Sequence, residues 1–545
     1  MRPSERLLQS VANLRHNSIV RTAFSALGFT VIYLYWILRP IEGAPQGDFY
    51  HWIGTANSFY TPFLLVILAV WMLFTTILLL TLKPGRARIA IWTFLLLCIP
   101  CIFIKLNIFY RRLDSEPVAF DSAIILTLLV AIFWRPSLED RFERVLKPIT
   151  TVFLFLGLLG GFIVCELCWY DVRGSLIVPN PPIHQRNAAT ALQQHRILWI
   201  VFDELSYHQT YEHRFPGLHL PAFDAIAASS SGFSHAIPVH IRTEEVLPGL
   251  FTGKSFDEMR DTFSTAPSFH NVATGHWQTF NQHDTVFQDA LNAGYSTAVA
   301  GWYNPYCRSI PAVLDSCYWQ YRAPWDTMLP SETTWFNTSV LAMQAARGIV
   351  TIAPARVRAY LARRVGEERK MLPLQRLSQA QDYELLQSHA DQLLRDPSYS
   401  FVFLHLPVPH PYGFYERHTH QFTKDDSSYI DNLALADDCL SHIIHILKLS
   451  NQWNSSTIVL MGDHGWRTQQ IWAHTFGWTK EDELASHGGQ YDSRPVYLVK
   501  LPNQTTPAHI DIPFQTVNTR KLFDALMAHR INTPADLATW AQSTR

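Results

Sequence analysis

The sequence predicts an N-terminal bundle of about five transmembrane helices followed by an α/β domain, and three observations carry that prediction. Five apolar stretches long enough to span a bilayer as helices lie near 19–38, 61–82, 89–106, 118–134 and 149–170. Beyond residue 171, short apolar runs recur and stop abruptly at polar residues, as strands buried on both faces do. Residues 289–301, DALNAGYSTAVAG, read as helix, glycine stop and strand, the alternation of an α/β sheet.

At 545 residues the chain exceeds one ordinary core. We divide it into a transmembrane domain over 1–170, a linker over 171–195 containing Val-Pro-Asn-Pro-Pro, and a catalytic domain over 196–545. With 44 basic against 45 acidic residues and no basic tract interleaved with aromatics, a nucleic-acid partner is not expected. Seven cysteines are too few for a disulfide framework or a zinc ribbon. Cys98, Cys101, Cys165 and Cys168 fall inside apolar spans and read as packing residues. Cys307 and Cys317 could form a disulfide outside the cytoplasm, leaving Cys439 on a helix.

Loop charge sets the orientation. The N-terminal arm and the second and fourth connections carry eleven basic residues, among them Arg2, Arg15, Arg86, Arg141 and Lys147. The opposite loops carry four: Arg39, Lys105, Arg111 and Arg112. The N-terminus is therefore expected in the cytoplasm. An odd number of spans then places the catalytic domain outside, as in a multi-pass protein of the cell (inner) membrane with a periplasmic or otherwise extracytoplasmic domain.

The first strand of that domain, Ile197 to Phe202, ends on Asp203-Glu204. Leu218 to Phe233 follows, with Phe223, Ile226 and Ala227 at helical spacing. Thr243 stands ahead of Glu244-Glu245-Val246-Leu247 as a helix cap. A hydroxyl there sits among free N–H groups that suit a phosphate, although without the metal motifs a plain cap is the favoured reading. Residues 340–398 are helical and rich in Arg, read as a solvated face or one lying against anionic lipid. Ser400 to Leu406 is a strand with His405 as a core residue; His410, past its end between prolines, could reach a substrate oxygen. Tyr429 to Lys448 is a helix. Ile458 to Met461 is a further buried strand, and it stops at Gly462-Asp463-His464. Carboxylates and an imidazole at the carboxyl ends of two buried strands are placed to hold a metal at a crevice, against the simpler reading of an Asp cap beside a surface His. His487-Gly488-Gly489 precedes a strand at 496–499, and two helical patterns close the chain.

Taken in order, these segments resemble the sulfatase-like branch of the alkaline phosphatase superfamily. ILWIVFDEL resembles its first metal-binding strand, LPAFDAIAASSSGFSHA the approach to the nucleophile, and AGYSTAVAGW its AGY-T-x-x-x-G stretch. FLHLPVPHPY resembles its histidine-proline loop, TIVLMGDHG its second metal-binding strand, and HGGQYDSRPVYLVKLP its closing strand. With membrane spans in front, the chain is similar to phosphoethanolamine transferases and, less closely, phosphoglycerol transferases. The resemblance implies metal ligands at Asp203, Asp463 and His464 with Glu204 as an extra one, a nucleophile at Thr243, and substrate-touching residues at His410 and His487, with His474 as runner-up for the latter. The chain departs from the pattern in lacking the Cys/Ser-x-Pro/Ala-x-Arg of formylglycine sulfatases and in having Asp203 where the phosphoethanolamine transferases usually carry Glu.

A mixed carboxylate and imidazole set suits zinc or manganese better than an all-oxygen site, with calcium or magnesium still open. The resemblance implies a transferase moving a phosphoethanolamine- or phosphoglycerol-type group from a phospholipid donor to an envelope glycan or lipid through phospho-Thr243. His487 would be the general acid, and His410 would help to neutralise charge on the phosphoryl oxygens. A hydrolase using water, and an inactive binding module, are the alternatives. Oligomeric state does not follow from the residues.

Overall fold

The computed structural model describes residues 18–38, 56–83, 85–96, 139–173, 195–260, 266–321, 333–352, 367–475 and 477–544. They form two compact units. The first contains α1 (Ser18–Leu38), α2 (Ala56–Leu79), α3 (Glu139–Arg173) and the helix Thr334–Ile352.

Within α2 and α3, Tyr60–Leu79 and Arg144–Trp169 are long and apolar enough to cross a membrane, whereas the apolar part of α1, Ile19–Tyr35, is shorter. The first, second and fifth expected spans thus fall on described helices. The third falls partly on helical residues 86–96, and the fourth lies outside the described residues. Met72 and Leu73 on α2, and Phe155 and Phe162 on α3, point outward, a surface that suits apolar surroundings better than water. Contact between α1 and α3 depends on small residues: a Cβ at Gly157 would meet the Phe24 carbonyl at 1.8 Å. Beside it Phe29 stacks on Phe153 at 3.8 Å. The helix Thr334–Ile352 buries Val340, Leu341 and Ala345. Its Asn337 side chain donates to the Ser58 carbonyl at 2.8 Å, and the Tyr33 hydroxyl donates to the Ala345 carbonyl.

The second unit is built on a mixed eight-stranded sheet: β1 (Ile197–Phe202), β2 (Ser231–Ile237), β3 (Thr297–Trp302), β4 (Ser316–Gln320), β5 (Phe401–Leu406), β6 (Thr457–Gly462), β7 (Tyr497–Lys500) and β8 (Ala508–Gln515). Their spatial order is β8-β2-β7-β6-β1-β5-β3-β4. The central β1 pairs in parallel with β6 on one side and β5 on the other. Strands β1, β3, β5 and β6 are buried at every residue, because apolar layers cover both faces. Trp199 faces one layer, ringed by Phe251, Phe403 and Phe523. Leu198, Ile200 and Leu404 face the other, which includes Leu440 and Ile443.

Three helices matter for the site: α4 (Thr243–Thr252), α5 (Glu367–Arg395) and α6 (Tyr429–Leu449). Among the described residues the helical tract expected over 340–398 falls on Thr334–Ile352 and α5, and Arg356, Arg358, Arg363 and Arg364 lie outside them. A three-stranded antiparallel sheet over 256–279 has no counterpart in the sequence reading.

Cys307 and Cys317 form a disulfide with Cα atoms 5.6 Å apart. It closes a short loop before β4, for which chain entropy gives a stabilisation of about 3 kcal/mol. Replacing both cysteines by alanine should lower the thermal midpoint of the second unit, and non-reducing peptide mapping of the native chain should recover the cross-linked pair. A free thiol at either position in chain collected from its native compartment would contradict the pairing.

Candidate active site

Register assembles the site. Phe202 of β1 lies opposite Gly462 of β6 and Leu406 of β5, so the three strands end level. The next residue of β1, Asp203, donates its N–H to the Leu406 carbonyl at 3.0 Å. The N–H groups of Glu204 and His464 both donate to Asp463 Oδ1, each at 2.9 Å. That leaves Asp463 Oδ2 for Thr243, whose hydroxyl donates to it at 2.8 Å and lies 3.3 Å from His464 Nε2.

Thr243 is not the helix cap that the pattern predicts. Arg242, in extended conformation, occupies that position and Thr243 is the first helical residue. Its side chain caps nothing, so the hydroxyl is available to Asp463.

Asp203 is almost wholly buried, and neither carboxylate oxygen has a hydrogen-bond partner. Burial and neighbouring Asp463 push its pKa well above the usual range. Its Oδ2 lies 3.7 Å from His405 Nε2, which also lacks a partner. His405 Nδ1 meets both the Trp302 carbonyl at 2.8 Å and the Tyr306 hydroxyl at 2.7 Å. A carbonyl only accepts, so Nδ1 carries the proton and Nε2 presents a lone pair toward Asp203. His464 follows the same logic, with Nδ1 donating to its neighbour's carbonyl at Gly465 (3.0 Å). Burial lowers the His464 pKa to about 3 and that of His405 to about 4, so both imidazoles are neutral.

Glu204 turns through a left-handed backbone conformation (φ 62°) and presents its carboxylate to Arg467 and Trp472. It accepts from Arg467 Nε (2.7 Å), Arg467 Nη2, the Arg467 backbone N–H (3.1 Å) and the Trp472 indole N–H (3.0 Å). The carboxylate expected as an extra ligand is therefore engaged by an arginine. His410 stands beside this pair, its Nε2 3.3 Å from Arg467 Nη2 and its ring between Trp302 and Trp472. Burial and the Arg467 charge push its pKa well down.

His487 is exposed, has a φ of 52°, and its ring lies 6.4 Å from that of His208. Among the described contacts none ties it to the Asp203–Asp463–Thr243 cluster. The side chain of His474 lies outside the described residues. Sequence reasoning missed His405, read as a plain core residue, and it missed Arg467. It also missed Asn304, whose side chain donates to the Thr243 carbonyl at 3.4 Å. The clue lay in Trp302-Tyr303-Asn304, polar and aromatic residues directly after a buried strand.

Three carboxylates and one guanidinium, all ionised, would leave this dry cluster with two excess negative charges, which a divalent cation would neutralise. The ligating atoms of Asp203, His405 and Asp463 lie within 4.8 Å of one another, as do those of Asp203, Glu204 and His464. The unpartnered Asp203 oxygens facing imidazole lone pairs fit such an ion, with His405 and Asp463 in one grouping and Glu204 and His464 in the other as its further holders.

The family model described as Sulfatase matches residues 195–514. The chain belongs to the sulfatase family. Domains of this type depend on a metal, and the chain is an enzyme acting on phosphate or sulfate esters. No curated protein matches the sequence. Among solved structures, Ps i-CgsB in complex with k-i-k-neocarrahexaose is similar at 16% identity and TM-score 0.39, over 64% of this chain and 74% of that one. The phosphonate monoester hydrolase of Agrobacterium radiobacter is 13% identical with TM-score 0.34, over 62% of this chain and 74% of that one. An inactive form of murine ectonucleotide pyrophosphatase/phosphodiesterase 5, in complex with AMP, is 10% identical with TM-score 0.32, over 62% of this chain and 95% of that one.

The two imidazoles are already neutral and have no proton to lose, whereas burial and the neighbouring Asp463 favour the protonated form of the Asp203 carboxyl. Calorimetry with zinc in buffers of different ionisation enthalpy at pH 6 should therefore find at most about one proton released per ion at this site. That release should vanish with tight binding in Asp203→Asn. Release of two or more protons in both the wild type and Thr243→Ala would show that His405 or His464 is protonated in the ion-free site.

Proposed function

We propose that this sulfatase-family chain is a metal-dependent, membrane-bound transferase. It moves a phospho-alcohol group, of phosphoethanolamine or phosphoglycerol type, from a phospholipid to an envelope glycan or lipid. The observation that carries the reading is the Thr243 hydroxyl, hydrogen-bonded to Asp463 beside the unpartnered Asp203 carboxylate. A threonine hydroxyl is a weak nucleophile at neutral pH and needs a base or a metal. A divalent ion, zinc or manganese by donor type, would supply Lewis acidity here.

Thr243 Oγ1 attacks phosphorus as its proton passes to Asp463. The bond to the leaving alcohol breaks, and that alcohol takes a proton. The acceptor hydroxyl then gives its proton to His487 as it attacks phospho-Thr243, and the threonine oxygen leaves with the proton held by Asp463. His487 on its exposed loop is retained as the general acid toward the leaving alcohol. His410, neutral and accepting from Arg467, places substrate and does not itself supply charge.

The apolar α2 and α3 support a multi-pass membrane anchor that holds the domain beside a lipid donor, with the N-terminus cytoplasmic and the catalytic domain extracytoplasmic. Thr243 in place of a formylglycine precursor weighs against sulfate-ester hydrolysis.

Full-length protein offered a phospholipid with labelled head group should trap label on Thr243. Thr243→Ala should abolish trapping and lower turnover by at least about a thousandfold, while zinc content stays unchanged. Label released to water with no acceptor present, at the rate seen with acceptor, would make the enzyme a hydrolase. For the orientation, a reporter joined after residue 190 should be active only outside the cytoplasm; activity inside would reverse the topology.

A further inference from the structure

Esters of phosphate bring negative oxygens to a centre already crowded with carboxylates. A divalent ion can neutralise the ligand set, but it faces only part of the attacked group. Among the described residues, the buried cation at this place is Arg467, which is 7% exposed. Its donors can be counted. Nε and Nη2 engage Glu204, and Nη2 also meets His410 Nε2. Nη1 donates to the Ile241 carbonyl at 3.3 Å, which leaves one Nη1 hydrogen uncommitted. Ile241 lies two residues before Thr243, so the guanidinium borders the turn that delivers the nucleophile.

Glu204 adopts a left-handed backbone conformation that is unfavourable for a non-glycine residue, and the hydrogen bonds its carboxylate accepts come from Arg467 and Trp472. A structural ion pair would need only charge balance. Here the fork is fixed on one side by Glu204 and backed by Trp472, whose ring lies 5.6 Å away.

We propose that Arg467 is the fixed cation of an oxyanion-binding subsite. Its free Nη1 hydrogen binds a non-bridging oxygen of the tetrahedral phosphate group at Thr243, and Glu204 holds the guanidinium in place. The inference rests on the reading that Thr243 attacks such a group. His410 is then a positioning residue that accepts from Arg467, and Arg467 carries the charge-neutralising part first given to His410. The ligand class is a tetrahedral oxyanion, either the phosphoryl group of an ester or free phosphate.

The experiment uses the full-length protein in detergent with its metal content measured in each variant. Inorganic phosphate is titrated against tryptophan fluorescence, since Trp302 and Trp472 flank His410. Arg467→Gln should weaken phosphate binding about ten- to a hundredfold, and Arg467→Lys should recover part of it. Arg467→Gln alone strands a buried carboxylate, so the double variant Glu204→Gln/Arg467→Gln decides the matter. The subsite predicts that the folded double variant remains weak. Wild-type phosphate affinity in the double variant, or in folded Arg467→Gln, would overturn it and leave Arg467 as a partner for Glu204 only. Label trapping on Thr243 of the wild-type protein separates the two proposals. If label is never trapped on Thr243 yet phosphate affinity still falls in the Arg467 variants, the transfer reading fails and the subsite stands.

Discussion

The site depends on three parallel strands ending level. Because β5, β1 and β6 share one register, Phe202 stands between Leu406 and Gly462, and the residues that follow each strand emerge along one line. Backbone hydrogen bonds enforce this. Asp203 N–H is tied to Leu406 and Glu204 N–H to Asp463, so the carboxylates are placed by the ladder, with little freedom left to their side chains. A slip of one residue would exchange the two faces of β1, moving Trp199 from its aromatic ring into the other layer. Core packing and site geometry are therefore one constraint.

That constraint is used to hold an unfavourable charge arrangement. Asp203 and Asp463 repel one another in a place where water cannot screen them, and Asp203 makes no hydrogen bond through its carboxylate. Such a group is costly without an ion. The neighbouring imidazoles do not relieve it, because burial keeps them neutral and backbone carbonyls fix their tautomers. The arrangement is preorganised for a cation and for a hydroxyl aimed at Asp463, which is how electrostatic catalysis gains over reaction in water. Glu204 and Arg467 form a second, self-neutralising pair at the same strand end, so charge is sorted into a metal-facing half and a guanidinium half.

Much of this was legible in the sequence. Fully buried strands announce themselves as unbroken apolar runs, and the abrupt stops at Asp203 and Gly462-Asp463 mark strand ends without ambiguity. Thr243 was legible because helix-start chemistry is local, although the cap falls one residue earlier than its pattern implies. His405 was not legible. A histidine inside a strand looks like any core residue until the Trp302 carbonyl shows which nitrogen is free. Arg467 and its pairing with Glu204 were hidden for a related reason, since the pairing depends on a left-handed residue that no periodicity reports. The helix Thr334–Ile352 carries an apolar face, but nothing in a single sequence says that its partners are Ser58 and Tyr33 rather than the sheet.

The order of the strands has a consequence for how the enzyme comes into being. The two neighbours of β1 begin about two hundred residues or more after it, with a helix of the other unit intervening in the chain. During synthesis the most apolar strand of the domain must wait with both edges bare, the circumstance in which chains associate wrongly. A product truncated between Leu406 and Gly462 owns Asp203, Thr243 and His405 yet lacks both Asp463 and His464. The carboxylate and imidazole of Asp463 and His464 thus join Asp203 only once β6 has been made and seated beside β1.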